Sequence, residues 1–259
     1  MIGNEPFFNL DLAGFICQLE VKNSKWRDCL REKFKAFLLQ KGKPDLRFLI
    51  LPSKKFTDIS LKFSRNSNEI IVYCPRNLNF FKRLNFYLKV GAADFLLNEN
   101  AFLLHASSFI KDNRGYLFSG KRRAGKSTII KLSHSSSGVY LLNDDFSLVR
   151  RLKEDHYVFS TPFYETTPIN KKPKKAQIKA IYFPIQSDKN NLERVIPHKA
   201  LPILASNILS SLNMPDVKRY HSNKETLGLI WSAASRVVGK VPCYNLYFKK
   251  DGSFLRLIK

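Results

Sequence analysis

The chain has 259 residues, with 44 Lys+Arg against 21 Asp+Glu and a formal net charge of +23. That length suits one large domain, or a domain with a small appended lobe, and can bury a core that folds without staples. Cys17, Cys29, Cys74 and Cys243 are scattered with no C-x-x-C pair, which excludes a zinc ribbon or disulfide framework. No eighteen apolar residues run uninterrupted and no basic-then-apolar leader is recognisable, so a reducing cytoplasm and no membrane span are expected.

In chain order, residues 15–21 (FICQLEV) alternate apolar and polar side chains as a strand does, and residues 25–40 place Trp26, Cys29, Leu30, Phe34 and Phe37 at helical spacing. Residues 47–51, 59–63 and 69–74 are short apolar or alternating runs divided by Pro52, Lys54-Lys55 and Asn66-Ser67-Asn68, the pattern of a strand meander that Pro75 ends. Residues 78–97 have helical periodicity with Gly91 as an interruption. Residues 1–98 therefore read as an α+β lobe with no chemistry of its own.

The apolar run 101–110 predicts a strand, and Asp112-Asn113-Arg114-Gly115 a hairpin turn into a second strand, Tyr116-Leu117-Phe118. Directly after it comes Gly120-Lys121-Arg122-Arg123-Ala124-Gly125-Lys126-Ser127-Thr128, which matches G-x-x-x-x-G-K-S at the start of a helical pattern. This is a phosphate-binding P-loop: glycines let backbone N–H groups crowd a polyphosphate, the helix N-terminus adds partial positive charge, Lys126 reaches the terminal phosphates and Ser127 ligates Mg²⁺. A short helix then precedes a buried strand, residues 139–142, that terminates in Asn143-Asp144-Asp145. Carboxylates at the end of such a strand stand where open α/β sheets place ligands and where a metal ion needs acidic partners. Glu165 is an isolated acid that would complete a metal site. His105 interrupts its strand, as either a core histidine or a catalytic group.

Residues 146–150 and 156–160 read as a hairpin, 176–185 and 192–196 as strands, 202–212 and 223–238 as helices, and 241–248 and 253–258 as closing strands. The charge excess is spread along the chain and is densest at Lys171-Lys172-Pro173-Lys174-Lys175. A solvated loop, an acidic peptide partner and nucleic acid are the three readings of that excess.

Taken in order, L-L-H-A-S-S-F (residues 103–109), G-K-R-R-A-G-K-S-T (120–128) and L-L-N-D-D (141–145) resemble the HPr kinase/phosphorylase family. The likeness is greatest to its free-standing HPr-kinase-like serine kinases, including those that modify ribosomally made peptides. The resemblance covers roughly residues 101–150, with a weaker likeness to about 212. It implies an α/β P-loop core of the HPr-kinase (PEP-carboxykinase-like) type over residues 99–259, with a mixed central sheet, beside the N-terminal α+β lobe. It further implies ATP- and Mg²⁺-dependent phosphorylation of a serine hydroxyl and a tendency to form homo-oligomers.

Carried over by position, His105, Lys126, Asp144 and Asp145 would be catalytic. Residues Gly120 to Thr128 would hold the nucleotide, with Ser127, Asp144 and Glu165 about the metal. Asp145 is favoured as proton acceptor and Asp144 as metal or histidine partner, with the assignment between them open, and Arg194 matches an arginine of the related kinases. The glycine-rich segment that grips HPr is not recognisable and the loop interior carries Lys121, Arg122 and Arg123 where small residues are usual. Both features argue for another acceptor, an acidic peptide or small protein. Two rival readings remain at this point: a nucleotide-dependent regulatory protein with a basic nucleic-acid-binding surface, and a small-molecule kinase acting on free serine.

Overall fold

The computed structural model describes residues 5–53, 59–64, 67–75, 81–134, 138–163, 173–212 and 224–258. The chain divides into two compact units, Met1–Phe95 and Leu96–Lys259. It is mixed α/β, with two mixed sheets and, among the described residues, five α-helices.

In the first unit, strands β1 (Phe7–Leu12) and β2 (Phe15–Val21) form a hairpin closed by Ala13 and Gly14, both at positive φ, with the Asp11 carboxylate accepting from the Gly14 N–H at 2.6 Å. Helix α1 (Ser24–Lys33) starts where the Asn23 side chain accepts from the Trp26 N–H. It is shorter than the helical spacing of residues 25–40 predicts: Lys35–Phe37 tighten into a 3₁₀ turn and β3 (Leu38–Leu39) pairs with β1. Strands β4 (Leu46–Ser53), β5 (Ser60–Phe63) and β6 (Glu69–Pro75) complete the sheet in the order β3-β1-β2-β4-β6-β5. The expected meander is not formed. β2 and β4 run parallel, as do β4 and β6, because α1 carries the chain back between β2 and β4. β5 pairs antiparallel with β6, as β1 does with β2 and β3.

Helix α2 (Phe81–Asn98) runs through Gly91 without a break. A Cβ at Gly91 would lie 2.7 Å from Phe48 Cε1 and 2.9 Å from Ile70 Cδ1. The glycine therefore marks close packing of the helix on two buried sheet residues, and the predicted interruption is absent.

The second unit begins with a hairpin of β7 (Ala101–Lys111) and β8 (Arg114–Ser119), turned by Asp112 and Asn113 at positive φ as predicted. Then follow α3 (Lys126–His134), β9 (Val139–Asn143), β10 (Phe146–Leu152), β11 (Asp155–Phe159), β12 (Lys175–Gln186), β13 (Asn191–Val195), α4 (Pro197–Leu209), α5 (Lys224–Val238) and β14 (Cys243–Phe248). The strand order is β11-β10-β7-β8-β12-β14-β13, with β9 on β7. β11 also pairs with β12, which closes β10, β7, β8, β12 and β11 into a ring. α4 starts at Pro197, earlier than the predicted 202, with proline at the helix position that needs no amide donor. The expected final strand over 253–258 is instead a 3₁₀ turn, Ser253–Leu257, entered through Gly252 at φ 78°.

Beneath α3, Ile129 and Ile130 join a buried aromatic cluster that includes Phe118 stacked on Tyr182, with centroids 5.4 Å apart, and Phe248 edge-on to Phe254. This cluster fixes the ends of β8, β12 and β14 from which the candidate site is built. No described helix is long and apolar enough to cross a membrane.

Candidate active site

The end of β8 and the start of α3 are joined by residues 120–125, the strand–loop–helix order that the motif requires. Gly125 sits at φ 106°, and a Cβ there would lie 2.5 Å from Phe248 Cζ. Both backbone conformation and space therefore demand glycine. At Gly120 an added Cβ would meet Ala124 Cβ at 3.2 Å, and the Ala124 N–H donates to the Lys121 carbonyl at 3.1 Å. Arg123 takes φ 69°, a left-handed position that turns the loop.

Lys126 is buried and its ammonium donates to the carbonyls of Gly120 at 2.7 Å and Lys121 at 3.2 Å. Burial pulls this amine below the usual lysine range, and the Asp145 carboxylate opposes that pull. An ammonium drawn from bulk water and aimed across its own loop is well placed to exchange loop carbonyls for phosphate oxygens. The Ser107 hydroxyl reaches the Lys126 carbonyl at 3.5 Å, and the Ser119 hydroxyl donates to the His105 carbonyl at 3.3 Å. Two buried serines thus fasten β7 to both ends of the loop.

The paired aspartates follow the end of β9, as expected, but the chain does not leave the sheet there. Sequence order suggested a strand ending at its carboxyl edge, but β9 and β10 both run antiparallel to β7 along the same side of it. Ser108 faces Asn143 and His105 faces Phe146, three steps along each strand, so the register resumes after a gap. Asp144 and Asp145 occupy that interval as a bend between the two strands, with no residue inserted, and the shift of register falls one step earlier, between Ser108 and Phe109. The bend sets Asp145 Oδ1 3.1 Å from His105 Nε2, and the His105 ring stacks on Phe146 with centroids 5.2 Å apart.

A cleft of about 390 Å³ is lined by His105, Arg122, Arg123, Gly125, Lys126, Ser127, Thr128, Asp145 and Gln186. Of the predicted residues, His105, Lys126, Asp145 and most of the loop therefore converge on one space. Gly120, Lys121 and Ala124 shape the loop without lining the cleft, and Asp144 stands beside Asp145 but outside the lining. Arg194 is exposed on β13, paired across the ladder with Tyr244, and does not line the cleft either. Glu165, with Lys171 and Lys172, lies outside the described residues. Among the described residues no group of three or more His, Cys, Asp or Glu side chains gathers as a metal-binding cluster. Among the lining residues Ser127, Thr128, Asp145 and Gln186 carry side-chain oxygens. That set suits Mg²⁺, which keeps several waters and takes one or two protein oxygens besides those of a phosphate.

Gln186 was missed by sequence reasoning, which ended its strand one residue early. It closes β12, the parallel neighbour of β8, and its side-chain amide reaches the Arg123 carbonyl at 3.5 Å. A strand terminus beside the loop-bearing strand was the signal available.

In comparisons by sequence, no family model and no curated protein matches the chain. Among solved structures, an HPr(Ser) kinase/phosphatase from Coxiella burnetii is similar at a TM-score of 0.33 and 10% identity, over 60% of this chain and 95% of that one. Those values mark a distant structural relationship.

Proposed function

We propose that the chain is an ATP- and Mg²⁺-dependent kinase that transfers the γ-phosphoryl group to a serine hydroxyl of an acidic peptide or small protein. The observation that carries this reading is the convergence of a phosphate loop and a histidine-bound carboxylate on one cleft. Phosphoryl transfer asks a protein mainly for positioning and charge neutralisation, and both are available here.

The amides of residues 125–128 and the positive end of α3 hold the phosphate chain. Lys126 bridges its terminal oxygens, and Arg122 and Arg123 add positive charge at the cleft wall. Ser127 and Asp145 would be the residues to hold Mg²⁺ or its waters, and the ion would supply charge neutralisation along the phosphate chain. Of the two aspartates the geometry favours Asp145 as proton acceptor, because it faces the cleft and Asp144 does not. A serine hydroxyl oxygen forms the new bond to γ-phosphorus as the bond to the β,γ-bridging oxygen breaks. Its proton passes to Asp145, and ADP carries away the negative charge. With its proton on Nε2, His105 donates to Asp145 Oδ1 and orients the carboxylate toward the acceptor. The net charge of +23 favours encounter with an acidic substrate.

The test is transfer from γ-labelled ATP to acidic serine peptides, followed by location of the label. Lys126→Ala lowers transfer by about 10³-fold through lost phosphate contacts. Asp145→Asn keeps nucleotide affinity within about twofold and lowers transfer by at least about 10²-fold. Parental turnover in the Asp145→Asn variant would remove the assigned base.

A further inference from the structure

Where the ladder between β7 and its neighbour stops, at Ser108 opposite Asn143, and resumes, at His105 opposite Phe146, buried side chains span the interval. Asn143, Ser108 and Ser147 are all at most 2% exposed. Asn143 Nδ2 donates to Ser108 Oγ at 3.0 Å and to the Phe159 carbonyl at 2.8 Å, and its Oδ1 accepts from the Thr161 N–H at 3.0 Å. Ser147 Oγ lies 2.9 Å from Ser108 Oγ and 2.8 Å from the Ala106 carbonyl.

The proton directions follow from the chemistry. A carbonyl only accepts, so the single hydrogen of Ser147 goes to Ala106, and the hydrogen of Ser108 goes to Ser147. The result is a one-way chain from Asn143 through Ser108 and Ser147 to Ala106. It begins two residues before Asp145 and ends one residue after His105. We propose that Asn143 is a positioning residue that, through this chain and its bonds to Phe159 and Thr161, holds the aspartate bend where Asp145 meets His105.

An asparagine is needed for this. Two donors and one acceptor are used at the same short side chain. Aspartate would turn an oxygen toward the Phe159 carbonyl, alanine would leave Ser108, Phe159 and Thr161 without that partner, and glutamine is a carbon too long. The kinetic consequence rests on the kinase reading above, whereas the placement of Asp145 does not.

The experiment is the crystal structure of Asn143→Ala, with transfer measured per nucleotide-binding site and nucleotide affinity measured separately. The expected result is an Asp145–His105 separation beyond about 4 Å, nucleotide affinity within about twofold of parental, and turnover per site lower by at least about tenfold. A merely structural role would lower the folded fraction and leave turnover per binding site intact. That result, or a separation still near 3.1 Å, overturns the proposal. If Asn143→Ala does not fold, Ser147→Ala cuts only the last link of the chain. It is expected to lower turnover per site several-fold with affinity retained, and parental turnover with the pair in place again overturns the proposal. If the parental protein transfers no phosphate to any acceptor, the kinase reading falls and the separation alone decides the role of Asn143.

Discussion

The two units bury polar side chains in different ways. In the first, Asn9 and Gln18 face each other across the β1–β2 ladder, and their side chains bond at 3.2 Å, one donor closed on one acceptor. In the second, Ser107, Ser108, Ser119, Asn143 and Ser147 are buried, and their bonds run to the loop, to the strand carrying His105 and about the aspartate bend. Each arrangement meets the requirement that buried polar groups be bonded. The first satisfies it locally, between two neighbouring strands. The second spends the same kind of bond on fixing groups at the rim of a cleft, and so marks the region where chemistry can occur.

The sharpest way to break that contrast is at Gly125. An alanine there meets both a φ of 106° and the Phe248 ring, so the loop must move away from the aromatic cluster beneath it. Strain and overpacking of this kind cost about 2–3 kcal/mol, and the displaced loop is the part that holds phosphate. Nucleotide affinity, read by titration calorimetry, is expected to fall about 100-fold in Gly125→Ala. Parental affinity would mean that the loop conformation does not matter for binding.

Much of the second unit was legible in residue order. The glycine–lysine–serine spacing located the loop, and Asp112-Asn113 located the hairpin, because both depend on local backbone conformation. His105 and the aspartates could be singled out as residue types but not joined. Their meeting depends on β9 and β10 lying end to end along β7, a long-range register that no local pattern encodes. The parallel pairing in the first unit failed to show for the same reason: short alternating runs fit a meander and a crossover equally well. Asn143 was hidden because its neighbour's carboxylate is the conspicuous feature, whereas its own task appears only when Phe159, Thr161 and Ser108 surround it. Gly91 was misread as a break because a period-based reading sees a missing side chain and not the ring that occupies its place.

A second test separates the stability of the second unit from its candidate site. His156 on β11 is buried, and among the described residues its Nδ1 has no hydrogen-bond partner. Burial first, then the positive charges of Arg151, Arg236 and Lys240, push its pKa down to about 4, with Asp155 opposing. The unfolded chain takes up this proton near pH 6.5 and the folded chain only near 4. Stability from this group is therefore complete above about pH 6.5 and lost as pH falls toward 4, by about 3 kcal/mol. Urea unfolding of the parental protein and of His156→Leu at pH 7.5 and pH 4 measures it: the parental protein should lose about 3 kcal/mol more than the variant. An equal loss in both would show that His156 titrates normally in the fold.

The smallest effect is expected at Gly91, where its sign matters more than its size. If the glycine were a weak point in a helix, as its place in the sequence suggests, alanine would stabilise the protein by about 1 kcal/mol through helix propensity. The structure puts Phe48 and Ile70 within 3 Å of the new methyl group, and overpacking of a dense core costs about 1–3 kcal/mol. The cost outweighs the gain, because both neighbours are buried and Phe48 is fully so, leaving little room for either to rotate away. Gly91→Ala should thus lose about 1 kcal/mol in urea unfolding while phosphoryl transfer per nucleotide-binding site stays parental. A stabilised variant would make the close helix–sheet contact wrong. A destabilised variant with altered turnover per site would mean that packing in the first unit reaches the chemistry of the second, and the contrast between local and site-directed buried bonds would no longer hold.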